Sequence, residues 1–274
     1  MSANQPSATN DATAAASVSN LGATRGKVYL IGAGPGDPEL LTIKALRILR
    51  KVDVVLIDRL APQEILDLLS KSTSVIYVGK APGKHTLAQG QINQVLVSLA
   101  SSGKQVARVK GGDPFIFGRG GEELNVCVKA GIEVEVVPGI SSALAVPAVS
   151  GLGLTHREIT HNLMITSGHE GVSPEVAQSV KATKATLVIL MGVRTLPKSV
   201  KTLLDAGLHP NLPVTIIENG TLPQQRTTHT TVAKMYETAG RIGIKNPAVI
   251  VVGECANPSV LSNYLSLNYA TNGT

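Results

Sequence analysis

The chain has 274 residues, 43% of them hydrophobic and 16% charged, with a formal net charge of +6. That composition describes a folded chain long enough for two modest domains and excludes a fibrous or wholly disordered one. No apolar run reaches the roughly 20 residues that span a bilayer, and the modest positive charge lacks the aromatic-interleaved basic clusters of a nucleic-acid binder. Arg47, Arg50 and Lys51 form the one tight basic group and fit the wet face of a helix. Cys127 and Cys255 show no metal spacing, and the six His include no HExxH or HxH pair. The expectation is therefore a cytoplasmic protein with both cysteines in the core, no metal, and neither nucleic acid nor membrane as partner.

Residues 1–26, rich in Ser, Ala, Asn and Thr, lack the basic start and apolar centre of a secretory signal and read as a disordered tail. Val28 to Ile31 reads as a buried strand, followed by the loop Gly32-Ala-Gly-Pro-Gly-Asp37. Asp37 then looks like an N-cap with Pro38 at the first helical position. One helix is expected from there to about Arg50, with Ile43, Leu46 and Leu49 facing inward. Strands are expected at Asp53 to Ile57, Val75 to Val78, Val106 to Val109 and Glu133 to Val137. Helices at Pro62 to Leu69, Gln89 to Ser101 and Glu122 to Lys129 alternate with them, the pattern of a parallel-rich sheet.

Pro138-Gly139 breaks the pattern, and Ile140 to Val149 reads as a small-residue helix. A second set follows, with strands near Asn162 to Thr166, Thr186 to Leu190, Pro213 to Glu218, Thr227 to Thr231 and Ala248 to Val252. Helices are expected at Pro174 to Val180, Leu196 to Asp205 and Ala233 to Arg241. The Thr-rich segment from Arg226 looks antiparallel, so the second sheet should be mixed. The fold class is α/β: a domain over 27–139 and another over 140–265, joined by a linker at about 139–154, with the active site in the cleft between them.

The strand ends carry the chemistry. Gly34, Pro35, Asp58, Lys80 and Gly111 to Asp113 all follow strands, and the carboxyl ends of parallel strands converge on one crevice. Gly32 to Asp37 departs from the dinucleotide pattern GxGxxG, because Gly36 comes one residue early and Pro35 stiffens the loop. A tight strand-to-helix turn is an equal reading. Lys110-Gly-Gly-Asp-Pro-Phe-Ile-Phe-Gly-Arg-Gly-Gly-Glu-Glu123 mixes five glycines, both Phe, one Arg and three acids, which a plain core does not need. Arg157 reads either as a plain linker cation or as facing Arg119 across the cleft, where two guanidiniums would suit carboxylates. Met191-Gly192 and Glu218-Asn-Gly220 again stand at strand ends, although a lone Met is more often core.

Taken together and in order, Gly32 to Thr42, Val78-Gly-Lys80, Lys110 to Glu123, Val137-Pro-Gly-Ile140, Leu154-Thr-His-Arg157, Met191-Gly192 and Glu218-Asn-Gly220 are familiar. Over about residues 27 to 255 the chain resembles the uroporphyrinogen-III C-methyltransferases of the tetrapyrrole methylase superfamily. The resemblance implies transfer of two methyl groups from S-adenosylmethionine to carbons 2 and 7 of uroporphyrinogen III. Precorrin-1 would be the intermediate, precorrin-2 the product and S-adenosylhomocysteine the by-product. It also implies a homodimer. The chain leaves no room for the dehydrogenase and ferrochelatase module that some relatives carry in front, so methylation alone is expected.

The resemblance places Pro35, Gly111, Gly112, Asp113, Ile116, Ser141, Ser142, Met191 and Gly220 around the methyl donor. Where this chain has Ser141-Ser142, the family more often has Thr-Ala. The implied catalytic residues are Asp58, Lys80, Arg119, Glu122 and Arg157, with Asp58 as proton acceptor and Lys80 as donor. Arg119 is the family's rival base, but a guanidinium with a pKa above about 12 is poorly suited to that task. Arg119 and Arg157 are better read as clamps on substrate carboxylates, with Glu122 orienting Arg119. Phe115 and Phe117 are read as packing beneath the loop. A sister methylase acting on a later precorrin, a nicotinamide oxidoreductase and a non-catalytic binding protein are the competing classes.

Overall fold

The computed structural model describes residues 26–58, 61, 63–79 and 88–261. Lys80, the expected tail ahead of Gly26 and the expected domain limit at 265 lie outside the described residues.

The first sheet contains β1 (Lys27–Gly32), β2 (Val54–Ile57), β3 (Ser74–Tyr77), β4 (Val106–Lys110) and β5 (Glu133–Val137), in the order β3-β2-β4-β1-β5. Every pairing is parallel. Helices α1 (Ile43–Leu49), α2 (Gln89–Ser101) and α3 (Gly120–Lys129) connect them. The two-residue period of a strand sends alternate side chains to opposite faces. Ile31, Val55, Ile57, Ala107 and Val109 pack with Ala45 and Leu49 of α1. Leu30, Val54, Leu56 and Val106 pack with Ile92 and Leu96 of α2 and Cys127 of α3. Both faces are covered, which is why the strands read as continuous apolar runs. The chain leaving β1 thus turns to one face and the chain leaving neighbouring β4 to the other. Adjacent strands whose connections diverge in this way leave a crevice at their carboxyl ends.

The helix expected from Pro38 to Arg50 is two pieces. A 3-10 turn, Pro38–Leu40, is capped by Asp37, whose Oδ1 accepts from Glu39 N at 2.8 Å. Leu41 and Thr42 are extended, and Thr42 caps α1 by accepting from Ala45 N at 3.1 Å. Two capping side chains in series divide the segment, because each bonds the backbone locally in place of the helical ladder. Ile43, expected to face inward, therefore sits in the first turn of α1 and is 69% exposed. Pro62 lies outside the described residues, and Gln63–Leu68 is a 3-10 rather than an α-helix.

The second sheet contains β6 (Leu163–Ser167), β7 (Thr186–Leu190), β8 (Pro213–Glu218), β9 (Arg226–Thr231) and β10 (Ala248–Val252), in the order β6-β7-β10-β8-β9. It is mixed as expected. β6 and β7 are parallel, whereas β10 is antiparallel to β7 and β8, and β9 is antiparallel to β8. Helices α5 (Pro174–Thr183), α6 (Leu196–Asp205) and α7 (Met235–Ile242) cover one face, over Leu187, Ile189, Val214 and Ile250. α4 (Ser142–Val149) covers the other, where Ala143 and Val146 meet Val188, Ile217, Val249 and Val251. Cys127 and Cys255 are both buried. Among the described residues no helix is long and apolar enough to cross a membrane.

Glu218 closes β8 almost fully buried, accepting from Arg226 Nε at 2.5 Å and Lys245 N at 2.8 Å. Burial alone would raise its carboxyl. The Arg226 hydrogen bond, the Lys245 amide and the two nearby charges outweigh that and hold it below the ordinary carboxylate value. The stabilisation this provides is present above the unfolded value of about 4.3 and is lost as pH falls through the lower folded value. Arg226→Met should therefore lower the urea midpoint at pH 7, with the deficit shrinking below about pH 4. A pH-independent deficit would show that the ion pair is not its source.

Three glycines bring backbone against backbone beneath the crevice. A Cβ on Gly139 would lie 2.3 Å from Gly112 O, and one on Gly32 would lie 2.5 Å from Gly139 N. Gly139→Ala should cost about 1–3 kcal/mol by overpacking. Gly90→Ala in α2, where nothing lies within 4 Å of the new carbon, should be neutral or mildly stabilising. Urea titration of both variants tests this contrast.

Candidate active site

The loops after β1 and β4 are pinned to each other. Gly34 N donates to Gly112 O at 3.2 Å, and Gly112 N donates to Gly34 O at 2.6 Å. Both residues have positive φ, +76° and +66°, which glycine adopts without a Cβ clash. Asp113 ties this pair to the end of β5: its Oδ1 accepts from Phe115 N at 2.9 Å and its Oδ2 from Gly139 N at 3.1 Å. Ser141 caps α4 by accepting from Ala143 N at 3.3 Å. A Cβ built on Gly112 would lie 3.6 Å from Ser142 N and 3.7 Å from Ser141 Cα. Pro35, Gly111, Gly112, Asp113, Ser141 and Ser142 are thus brought to the same strand ends.

The second sheet contributes its own carboxyl edge. Met191 follows β7 with φ +57° and 46% exposure. Gly220 follows β8 and lies against α4, where a Cβ would meet Val146 Cγ1 at 2.3 Å. The two units touch here, where Asp37 N donates to Thr221 Oγ1 at 3.0 Å, and within the second unit Gln225 Nε2 ties the β8 loop to the end of α4 by donating to Ser150 Oγ at 3.1 Å. Five of the six described non-glycine residues with positive φ are Phe117, Arg119, Met191, Asn219 and Thr221, all in these loops; the sixth, Lys184, ends α5. Backbone in that region costs on the order of 1–3 kcal/mol per residue and persists where neighbours over-determine it.

Phe115 and Phe117 do not pack beneath the loop. They are 49% and 43% exposed and flank Ile116, itself 42% exposed. The Asp113 turn and the left-handed Phe117 present the three as an apolar surface instead of a buried anchor.

Arg119 and Glu122 form a two-bond fork, with Nε to Oε1 and Nη2 to Oε2 both at 2.8 Å. The hydrogen bond to Glu122 raises the guanidinium pKa, and the same bond holds the Glu122 carboxyl below its ordinary value. Both side chains are more than half exposed, so the fork adds little to stability. What it fixes is the direction of a cation at the start of α3. Arg157 is exposed on the turn closed by the His156–Thr160 bridge and makes no hydrogen bond or ion pair to a described residue. The structure places it on the chain between α4 and β6, without a contact that joins it to Arg119.

Asp58, at the end of β2, is held from below. Its Oδ2 accepts from Arg108 Nη2 at 2.6 Å. Arg108 is only 1% exposed and also donates through Nε to Glu123 Oε1 at 2.9 Å and through Nη1 to Val109 O at 3.1 Å. Lys110 Nζ lies 3.2 Å from Glu123 Oε1 and 3.1 Å from Oε2, and Gln89 Nε2 donates to Oε1 at 3.1 Å. Burial first, and then the Arg108 charge, push the Lys110 ammonium below its ordinary pKa, against the pull of Glu123 and Asp58. Sequence reading passed over Arg108 inside a strand it treated as apolar. The available signal was the i, i+2 spacing of Arg108 and Lys110, which puts both cations on one face of a central strand.

The chain is similar to known proteins over most of its length. Residues 27–236 match the family model of the tetrapyrrole (corrin/porphyrin) methylases. The S-adenosyl-L-methionine-dependent uroporphyrinogen III methyltransferase of Methanosarcina barkeri is 47% identical over 84% of this chain and 91% of its own. The crystal structure of a Thermus thermophilus uroporphyrin-III C-methyltransferase complexed with S-adenosyl homocysteine superposes with a TM-score of 0.71 at 39% identity, covering 85% of this chain and 94% of that one. A cobalt precorrin-4 methyltransferase of cobalamin biosynthesis superposes with a TM-score of 0.74 at 26% identity, over 85% and 96% of the two chains. The chain belongs to the tetrapyrrole methylases.

Proposed function

We propose that this protein methylates uroporphyrinogen III at carbons 2 and 7 from S-adenosylmethionine, giving precorrin-2 by way of precorrin-1. The observation that carries the reading is the crevice where β1 and β4 diverge, faced by the Met191 and Gly220 edge of the second sheet, in a chain 47% identical to a uroporphyrinogen III methyltransferase. The residues suit the donor. It carries no phosphate, and the loops offer glycine backbone at Gly111, Gly112 and Gly220, a hydroxyl at Ser141, and apolar surface at Ile116 and Met191. Asp113 acts there through shape, because both its oxygens are bonded to backbone.

S-adenosylmethionine, when bound, supplies an electrophilic methyl group and departs as S-adenosylhomocysteine. The protein's own part is alignment and proton removal. Pro35, Ser142 and the glycine backbones fix the donor, and in-line placement supplies much of the rate. Arg119, aimed by Glu122, and Arg157 bind carboxylates of the octacarboxylate substrate. Asp58 takes the proton that the methylated macrocycle must lose from another ring position to restore neutrality, and Lys80 serves as the donor. The functional unit is read as two domains, 27–139 and 140–265, and as a homodimer, for which sedimentation at micromolar concentration is the check.

A second reading has one observation behind it, the equally good superposition on a cobalt precorrin-4 methyltransferase. The two separate in a single assay. Purified protein with S-adenosylmethionine and uroporphyrinogen III should release two S-adenosylhomocysteines per macrocycle and give the precorrin-2 chromophore. Transfer only to a later precorrin would replace the first reading with the second.

The roles of Arg119 also separate kinetically. Arg119→Lys keeps the charge but loses the fork, so KM for uroporphyrinogen III should rise about tenfold while substantial kcat remains. Abolished kcat at unchanged KM would identify Arg119 as part of the proton chemistry and remove the clamp.

A further inference from the structure

Four ionisable side chains meet under α3 at the ends of β2 and β4: Asp58, Arg108, Lys110 and Glu123. Helix-on-sheet packing does not require them, and the apolar part of that face includes Val28, Leu30, Val54, Leu56 and Val106. Replacing a buried ion cluster with apolar residues is often neutral or stabilising, so stability is a weak reason for its presence. The cluster is asymmetric in a way that points toward the cleft. Glu123 is wholly buried and collects Arg108, Lys110 and Gln89, whereas Asp58 is 29% exposed and is bonded to Arg108 through Oδ2. Asp58 Oδ1 takes no hydrogen bond from a described residue.

We propose that Arg108 is a positioning residue for the methylation reaction. Anchored by Glu123 and the Val109 carbonyl, it holds Asp58 by Oδ2 and leaves Oδ1 as the acceptor for the substrate proton. The inference rests on Asp58 as the base proposed above. All three guanidinium nitrogens are committed, so the orientation of Arg108 is over-determined, and a planar fork spanning two carboxylates is a geometry that lysine cannot reproduce. Arg108 itself touches no reacting atom. Lys110 on the same strand face shares the Glu123 charge and keeps that carboxylate fixed.

The test is a double-mutant cycle on the full chain, with kcat and KM for uroporphyrinogen III, S-adenosylhomocysteine affinity by calorimetry, and thermal melting. Asp58→Asn should lower kcat about 10²- to 10⁴-fold. Arg108→Lys should lower kcat roughly 10- to 100-fold, with KM and S-adenosylhomocysteine affinity within about twofold of the parent. The double variant should be no slower than Asp58→Asn alone, because the two residues act as one unit. Losses that multiply in the double variant would overturn the positioning role. Parental kcat in Arg108→Lys, with Asp58→Asn slow, would overturn it and leave the base assignment standing. Parental kcat in Asp58→Asn would remove the base assignment and the positioning role with it. If Arg108→Lys does not fold, Arg108→Gln with Glu123→Gln, which removes one buried charge of each sign, carries the same cycle.

Discussion

Gly34 and Gly112 exchange two backbone hydrogen bonds across the point where β1 and β4 part. A third backbone lies directly against that contact, at Gly139, where a Cβ would come within 2.3 Å of Gly112 O. With the three segments so close, the carboxyl ends of β1, β4 and β5 become one floor instead of three separate loops. Asp113 then spends both carboxylate oxygens locking the floor to the end of β5. A side chain at Gly139 would strike the backbone of Gly112 and Gly32 and force the floor apart two residues ahead of Ser141, the cap of α4.

α4 is how the first sheet's geometry reaches the second. Its N-terminal cap sits against Gly112, and its body packs on β7, β8 and β10 through Ala143 and Val146. Gly220 rests on Val146 with no room for a side chain, so the β8 loop is referenced to the same helix. The left-handed residues Met191, Asn219 and Thr221 occur where this referencing is tightest. Strain of that kind is held by rigid neighbours on both sides. The Asp37 to Thr221 hydrogen bond closes the circuit from the β1 loop to the β8 loop.

Much of this was legible from sequence, and the parts that were not share a cause. Strands such as Val106 to Lys110 and Ala248 to Val252 announce themselves, because a strand buried on both faces must be nearly continuous in apolar residues. The placement of Pro35 and Gly112 at one rim follows from parallel topology alone, whereas Ser141 is reached only through the family resemblance. What failed was competition between local options. Asp37 and Thr42 are both good caps, and nothing in a hydrophobic period says that both are used, so Ile43 was given an inward face it does not have. Phe115 and Phe117 were judged by apolarity, whereas their exposure is decided by a left-handed backbone at Phe117. Arg108 was hidden because its partners, Asp58 and Glu123, lie 50 and 15 residues away, and sequence spacing shows only the nearest of such pairings.

The two acidic pairs around the cleft illustrate how burial divides chemical labour. Arg119–Glu122 and Arg108–Glu123 are both arginine–glutamate contacts rooted in the first turn of α3, one residue apart on the acidic side. The first is exposed, screened and able to re-pair, which is what a reversible grip on a carboxylate substrate needs. The second is sealed, with no water to compete for its donors, so its directions are fixed before any ligand arrives. Adjacent residues Glu122 and Glu123 point to these two environments because successive positions on a helix are about 100° apart. A single turn of α3 thus separates an exposed ion pair from a buried one. That division explains why two glutamates stand side by side there, where α3 would otherwise need one acid at its N-terminus.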